Sequence, residues 1–127
     1  MQKSLTVSGI IGIIIWTEHV DTLADFYSNA LNLKPYRIHE QFVAFKFGST
    51  RLNIGFHKEV QGHTKDPYRI MINLATDSIH ELVRAMITKG VQFLRMPELE
   101  SWGGFVATFK DPDNNTIQLL QPPKDMK

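Results

Sequence analysis

Two halves of this chain repeat one pattern, and the repeat restricts the fold more than any single residue does. An apolar run at residues 10–16 precedes Val20, Leu23, Tyr27 and Leu31, whose spacing marks one face of a helix over about 20–31. A second run at 69–75 precedes Ile79, Leu82, Val83, Met86 and Ile87, the apolar face of a helix over about 79–89. Ser78 followed by Glu81 predicts a capping box at the second helix start, and Gly90 marks its stop. Three shorter strand-like runs follow each helix: 36–39, 42–47 and 52–57, then 93–96, 105–109 and 116–120. Turn-prone Gly48-Ser49, Gly103-Gly104 and Asp111-Pro112-Asp113-Asn114 separate them.

The halves superpose in sequence. Val20 and Leu23 match Ile79 and Leu82, a spacing that also pairs Thr17 with Thr76 and Gly12 with Met71. Phe42-Val43-Ala44 matches Phe105-Val106-Ala107, and Leu52-Asn53-Ile54 matches Ile117-Gln118-Leu119. The order is β-α-β-β-β twice, an α+β class, with one repeat over about 8–57, a polar connector over 58–68 and a second repeat over about 69–121.

A chain of 127 residues, 43% hydrophobic and 21% charged, is sized for one domain over 1–127 with one core. The net charge is +1, with 14 basic residues scattered among 13 acidic ones, which gives no footprint for nucleic acid. The absence of cysteine excludes disulfides, thiolate metal sites and cysteine nucleophiles, and it fits a reducing cytoplasm. The run at 10–16 is far shorter than the roughly 18 residues of a membrane span. Thr17, Glu18 and His19 follow it without a small-x-small cleavage site. The expectation is a cytoplasmic protein with no membrane partner.

Strand alternation separates two faces. Leu52, Ile54, Phe56, Ile70, Ile72, Leu74, Ile117 and Leu119 form an apolar face that should pack on the helices. Opposite lie Arg51, Asn53, Gly55 and His57, then Met71, Asn73 and Ala75, then Thr116, Gln118 and Leu120, with Gly12, Ile14 and Trp16 on the first strand. Neutral amides, an indole, a thioether and glycines suit a partly enclosed pocket. The same pattern also suits a sheet face covered by a partner subunit.

Several local motifs fall in a recognisable order: Phe26-Tyr27 with Ala30-Leu31-Asn32-Leu33 at the first helix end, Trp102-Gly103, and Phe109-Lys110-Asp111-Pro112-Asp113-Asn114-Asn115 leading into Ile117-Gln118-Leu119. With the repeat, they make the chain resemble the glyoxalase/bleomycin-resistance/extradiol-dioxygenase superfamily, the vicinal-oxygen-chelate fold, over nearly its whole length. The resemblance implies a curved mixed sheet around a cavity, with helices on the outer face. It does not specify an activity, because the fold hosts many. Asn114 stands where the family often has Gly, and Asn tolerates the same left-handed backbone.

In metal-using members, one ligand, usually His or Glu, comes from each of four strands. The corresponding positions here are Gly12, Asn53, Met71 and Gln118. Two amides, a thioether and a vacancy make no ordinary divalent site, so the resemblance implies the fold while the residues argue against its metal chemistry. No cofactor is expected.

The leading expectation is a metal-independent small-molecule-binding protein whose planar or partly apolar ligand meets Trp16, Arg51, Asn53, His57, Met71, Asn73 and Gln118. Trp16 would stack on it and Arg51 would meet an anionic group. The alternative is a metal-independent enzyme, a lyase, isomerase or dioxygenase-like relative, using His57 as acid or base. A third reading makes the chain an oligomer with a vestigial pocket. Glu98 and Glu100, before Trp102, mark a loop that would close over a ligand, or a solvated turn. Apolar sheet edges predict a homodimer.

Overall fold

A computed structural model describes residues 5–124. The first repeat comprises β1 (Gly12–Thr17), α1 (Val20–Ala30), β2 (Arg37–His39), β3 (Phe42–Phe47) and β4 (Thr50–Phe56). The second comprises β5 (Ile72–Ala75), α2 (Ile79–Thr88), β6 (Phe93–Leu99), β7 (Phe105–Lys110) and β8 (Thr116–Gln121). The fold is α+β with two βαβββ modules. Each forms its own four-stranded mixed sheet, ordered β1-β4-β3-β2 and β5-β8-β7-β6, and the sheets do not close on each other. The strand before each helix runs parallel to the last strand of its module, and the remaining pairs are antiparallel.

Strand registers repeat as well. Ile13 faces Leu52 and Ile72 faces Ile117, which makes Asn53 and Gln118 equivalent. The match of Phe42-Val43-Ala44 with Phe105-Val106-Ala107 is corrected by one residue. Ala44 faces Asn53 and Thr108 faces Gln118, so Ala44 is equivalent to Thr108, and Phe45 to Phe109. A one-residue slip reverses every side chain of a strand. Phe42 therefore lies away from the helices, while Phe105 packs against the core beneath them.

Both helices start in the same way. Thr17 Oγ1 accepts the His19 N–H at 2.9 Å, and Thr76 Oγ1 accepts the Ser78 N–H at 3.1 Å. The expected capping box is absent, because the Ser78 side chain makes no cap bond. The Ser78 N–H, which Glu81 would accept in such a box, goes instead to Thr76 Oγ1, and Gln121 Oε1, at the end of β8, accepts the free Ile79 N–H at 2.7 Å. Gly90 does end α2, at φ +94°, and its N–H reaches the Ile87 carbonyl.

The core is one cluster spanning both repeats. Leu23 and Tyr27 of α1, Val83 and Met86 of α2, Phe45 and Ile54 of the first sheet, and Phe109 and Ile117 of the second are fully buried. Each such apolar side chain contributes about 1.5–3 kcal/mol. Ile70 departs from expectation: β5 begins only at Ile72, and Ile70, outside the ladder, is 79% exposed. Phe56 closes β4 and is likewise exposed. Among the described residues, no helix is long and apolar enough to cross a membrane.

Candidate functional site

Three strands of the first sheet build a patterned face on the side away from the helices. β4 presents Arg51, Asn53 and Gly55 there. β1 sets Gly12, Ile14 and Trp16 beside them, and β3 sets Lys46, Ala44 and Phe42. Gly55 makes room for the indole: a Cβ there would lie 2.9 Å from Trp16 Cζ3 and 3.5 Å from Phe42 Cδ1. The His57 ring, just past β4, meets the Trp16 indole edge-on with centroids 5.2 Å apart. Trp16 remains 40% exposed, so one side of the indole is open.

His57 Nδ1 accepts the Glu59 N–H at 3.1 Å, which in the neutral ring puts the proton on Nε2. His57 therefore offers a donor to a ligand before it can offer a base. Asn53 Oδ1 is buried and meets no donor within the described protein. Such an acceptor costs about 1–3 kcal/mol.

In the second sheet, Asn73 lies beside Gln118, whose Nε2 donates to Thr108 Oγ1 at 3.3 Å. Trp102 is not part of a free lid. It folds over Gly104 inside a turn closed by hydrogen bonds from Gly103 N to Glu100 O and from Glu100 N to Gly104 O. Glu98 and Glu100 both pair with Arg95 rather than reach toward a ligand.

A cleft of about 970 Å³ opens between β1, the connector, the start of β5 and the β7–β8 turn. Ile14 and Trp16 line one side, His63 and Asp66 the connector side, and Met71 and Thr116 the far side. Of the expected binding residues, Trp16 and Met71 line this cleft, while Arg51, Asn53, His57, Asn73 and Gln118 do not. Thr116 was not singled out as a binding residue, although alternation puts it on the right face. Its Oγ1 is buried and has no partner within the described protein. The connector, read from sequence only as a polar link, forms a wall. The Gly62 N–H donates to the Glu18 carboxylate, and the Thr64 N–H donates to the Asp113 carbonyl at 2.9 Å.

Paired βαβββ modules around such a cleft match one family model, described as the Glyoxalase/Bleomycin resistance protein/Dioxygenase superfamily, over residues 9–119. The chain belongs to this superfamily. Solved structures share the fold. A glyoxalase-related enzyme from Fulvimarina pelagi aligns with a TM-score of 0.75 at 16% identity, covering 92% of this chain and 90% of that one. A lactoylglutathione lyase from Agrobacterium tumefaciens aligns at 0.73 and 16% identity, covering 91% and 95%. A protein of unknown function from the same organism aligns at 0.77 and 16% identity, covering 94% and 98%. No curated protein matches the sequence significantly.

At the four positions that the resemblance assigns to the ligands of metal-using members, the residues do not fit a divalent ion. Gly12 carries no donor, Asn53 and Gln118 offer neutral amides, and Met71 offers a thioether. The amides suit hard cations weakly and the thioether suits soft ones, so no one metal is served by the set. Among the described residues, no group of three His, Asp or Glu side chains is placed to hold a metal ion.

Proposed function

We propose that this chain is a metal-independent, small-molecule-binding member of the superfamily, taking a planar or partly apolar ligand against Trp16. The observation that carries the reading is Asn53 Oδ1, buried without a partner on the face that Trp16, Phe42 and His57 share. A ligand N–H or O–H would satisfy it while a ring stacks on the open side of the indole. Met71, which shares the cleft with Trp16, would supply a soft contact from the second sheet and His57 Nε2–H a donor, whereas Asn73 and Gln118 would be reached only by a ligand extending beyond that cleft.

A thermal-shift screen of organic ligands, followed by tryptophan quenching, tests this reading. The quench should vanish in Trp16→Leu and persist in Trp102→Leu. The reverse pattern would move the ligand to the second sheet.

A second reading rests on His57 beside that indole: an enzyme using its imidazole as acid or base. It requires turnover with a pH–rate profile that is lost in His57→Ala.

The assembly we propose is a homodimer, supported by the exposed Ile10 and Ile11 just before β1 and Ile13 within that edge strand. A monomer mass in light scattering at micromolar concentration would remove it. The cysteine-free sequence supports a cytoplasmic setting.

A further inference from the structure

At one end of the same sheet face, three cations gather around one aromatic ring. Lys46 Nζ lies 4.9 Å, Arg51 Cζ 5.5 Å and Arg37 Cζ 5.7 Å from the centre of the Tyr36 ring. The Tyr36 N–H donates to the Ala44 carbonyl at 2.7 Å, which holds that ring beside β3. Lys46 and Arg51 face each other directly across the β3–β4 ladder. Like charges at facing positions are destabilising, and a tyrosine face offsets only part of that repulsion. Among the described residues, the ion pairs of His19, Arg69 and Arg95 involve none of these three. No carboxylate there neutralises any of the three.

The row also has a gap. Gly12 is the β1 neighbour of Arg51, and a Cβ there would lie only 3.1 Å from the Arg51 carbonyl oxygen, so the strands approach closely and no β1 side chain covers the arginine. The equivalent place in the second module differs: Lys110 faces Thr116, and Lys110 Nζ sits 4.3 Å from the centre of the Tyr68 ring. Only the first module carries the facing like-charge pair.

We infer that the ligand is a planar organic anion whose carboxylate or phosphate sits among Arg37, Lys46 and Arg51. This deepens the binding reading and rests on it. Along β4, Arg51, Asn53 and Gly55 alternate onto one face, so the Cα atoms of Arg51 and Asn53 are about 7 Å apart, and those of Arg51 and Gly55 about 13 Å apart. An anion at Arg51 thus has its polar midpoint at Asn53 and its rings at Trp16. A carboxylate or phosphate among these side chains converts repulsion into charge-assisted hydrogen bonds, with guanidinium forks suited to either oxyanion. Three cations at one sheet end are too few for a polyanion, and the scattered remaining charge supplies no continuation.

Calorimetric titration of the full chain with naphthalene-2-carboxylate, 2-naphthyl phosphate and the neutral naphthalene-2-carboxamide tests this inference. Both anions should bind at least about tenfold more tightly than the amide, the gain expected of one or two charge-assisted contacts. The gap should close in the Lys46→Gln, Arg51→Gln double variant with amide affinity retained, and persist in Arg84→Gln, which removes an exposed cation on α2. Trp16→Leu should weaken all three probes. Without ligand, Lys46→Gln should raise the Tm, because it relieves the facing charges. The relative affinity of the two anions decides between carboxylate and phosphate. Equal affinity for amide and anions, or a gap that survives the double variant, overturns the anion site and leaves the binding reading standing. Failure of all three probes to bind overturns both.

Discussion

The Tyr27 phenol on α1 donates a 2.7 Å hydrogen bond to Asp111 Oδ2 in the β7–β8 turn, which ties the helix of one module to a turn of the other. The same carboxylate accepts the N–H groups of Asp113 and Asn115 and the Asn115 amide, each at 2.9 Å. Burial and the adjacent Asp111 charge push the phenol well above its ordinary range, so it stays a donor. Tyr27→Phe should lower stability by about 1–2 kcal/mol in urea denaturation, because a buried acceptor loses one partner.

This pair also sets a pH dependence. Burial raises the Asp111 carboxyl above its ordinary 3.8, outweighing the hydrogen bonds from Tyr27, Asn115 and Asp113 that lower it. A raised folded-state value means that the Asp111 contribution is fully present below pH 3.8 and is lost as pH rises through the folded value. Tyr27→Phe removes one lowering bond and should enlarge that loss and carry it to higher pH. Urea midpoints measured across the acid range for wild type and variant check it, and parallel curves would contradict it.

Thr17 is fully buried and its hydroxyl organises the start of α1, whereas its counterpart Thr76 is partly exposed. Thr17→Val should therefore cost about 1 kcal/mol, with an unchanged m value. Thr76→Val should cost less. An equal loss would mean that burial does not separate the two turns.

Gly55→Ala tests the seat of the indole. The new methyl would meet the Trp16 ring at 2.9 Å, and a ring tip can yield where backbone cannot. The fold should survive by circular dichroism, Trp16 emission should shift, and affinity for a stacked ligand should fall about tenfold. Unchanged emission would place the indole elsewhere.

Elemental analysis after incubation with Zn²⁺, Ni²⁺, Mn²⁺ or Fe²⁺ and desalting should find no stoichiometric metal, because Gly12, Asn53, Met71 and Gln118 supply no imidazole, carboxylate or thiolate. About one equivalent, lost in Gln118→Ala or Asn53→Ala, would restore a metalloenzyme reading.

Much of the architecture was legible because periodicity is local. Val20, Leu23 and Tyr27, and then Ile79, Val83 and Met86, mark helix faces at 3.6-residue spacing, and both faces are buried. Asn114 in the Asp-Pro-Asp turn takes the left-handed backbone expected of it, at φ 70°. Alternation alone also put Trp16, Asn53 and His57 on one face.

Long-range pairing decided the rest. The shared Phe-Val-Ala triplets aligned β3 with β7 one residue out, because sequence likeness does not record which residue each strand faces across its ladder. Gln121, far along the chain from Ser78, satisfies the first free N–H of α2, at Ile79. The gathering of Arg37, Lys46 and Arg51 on Tyr36 depends on three strands meeting in one register. The sequence by itself determined the modules, their helices and the two faces of each strand, since these follow from neighbours a few residues apart. Only the tertiary structure decided which charges stand opposed and which polar atoms, such as Asn53 Oδ1, are left without partners, because both depend on what distant strands bring alongside.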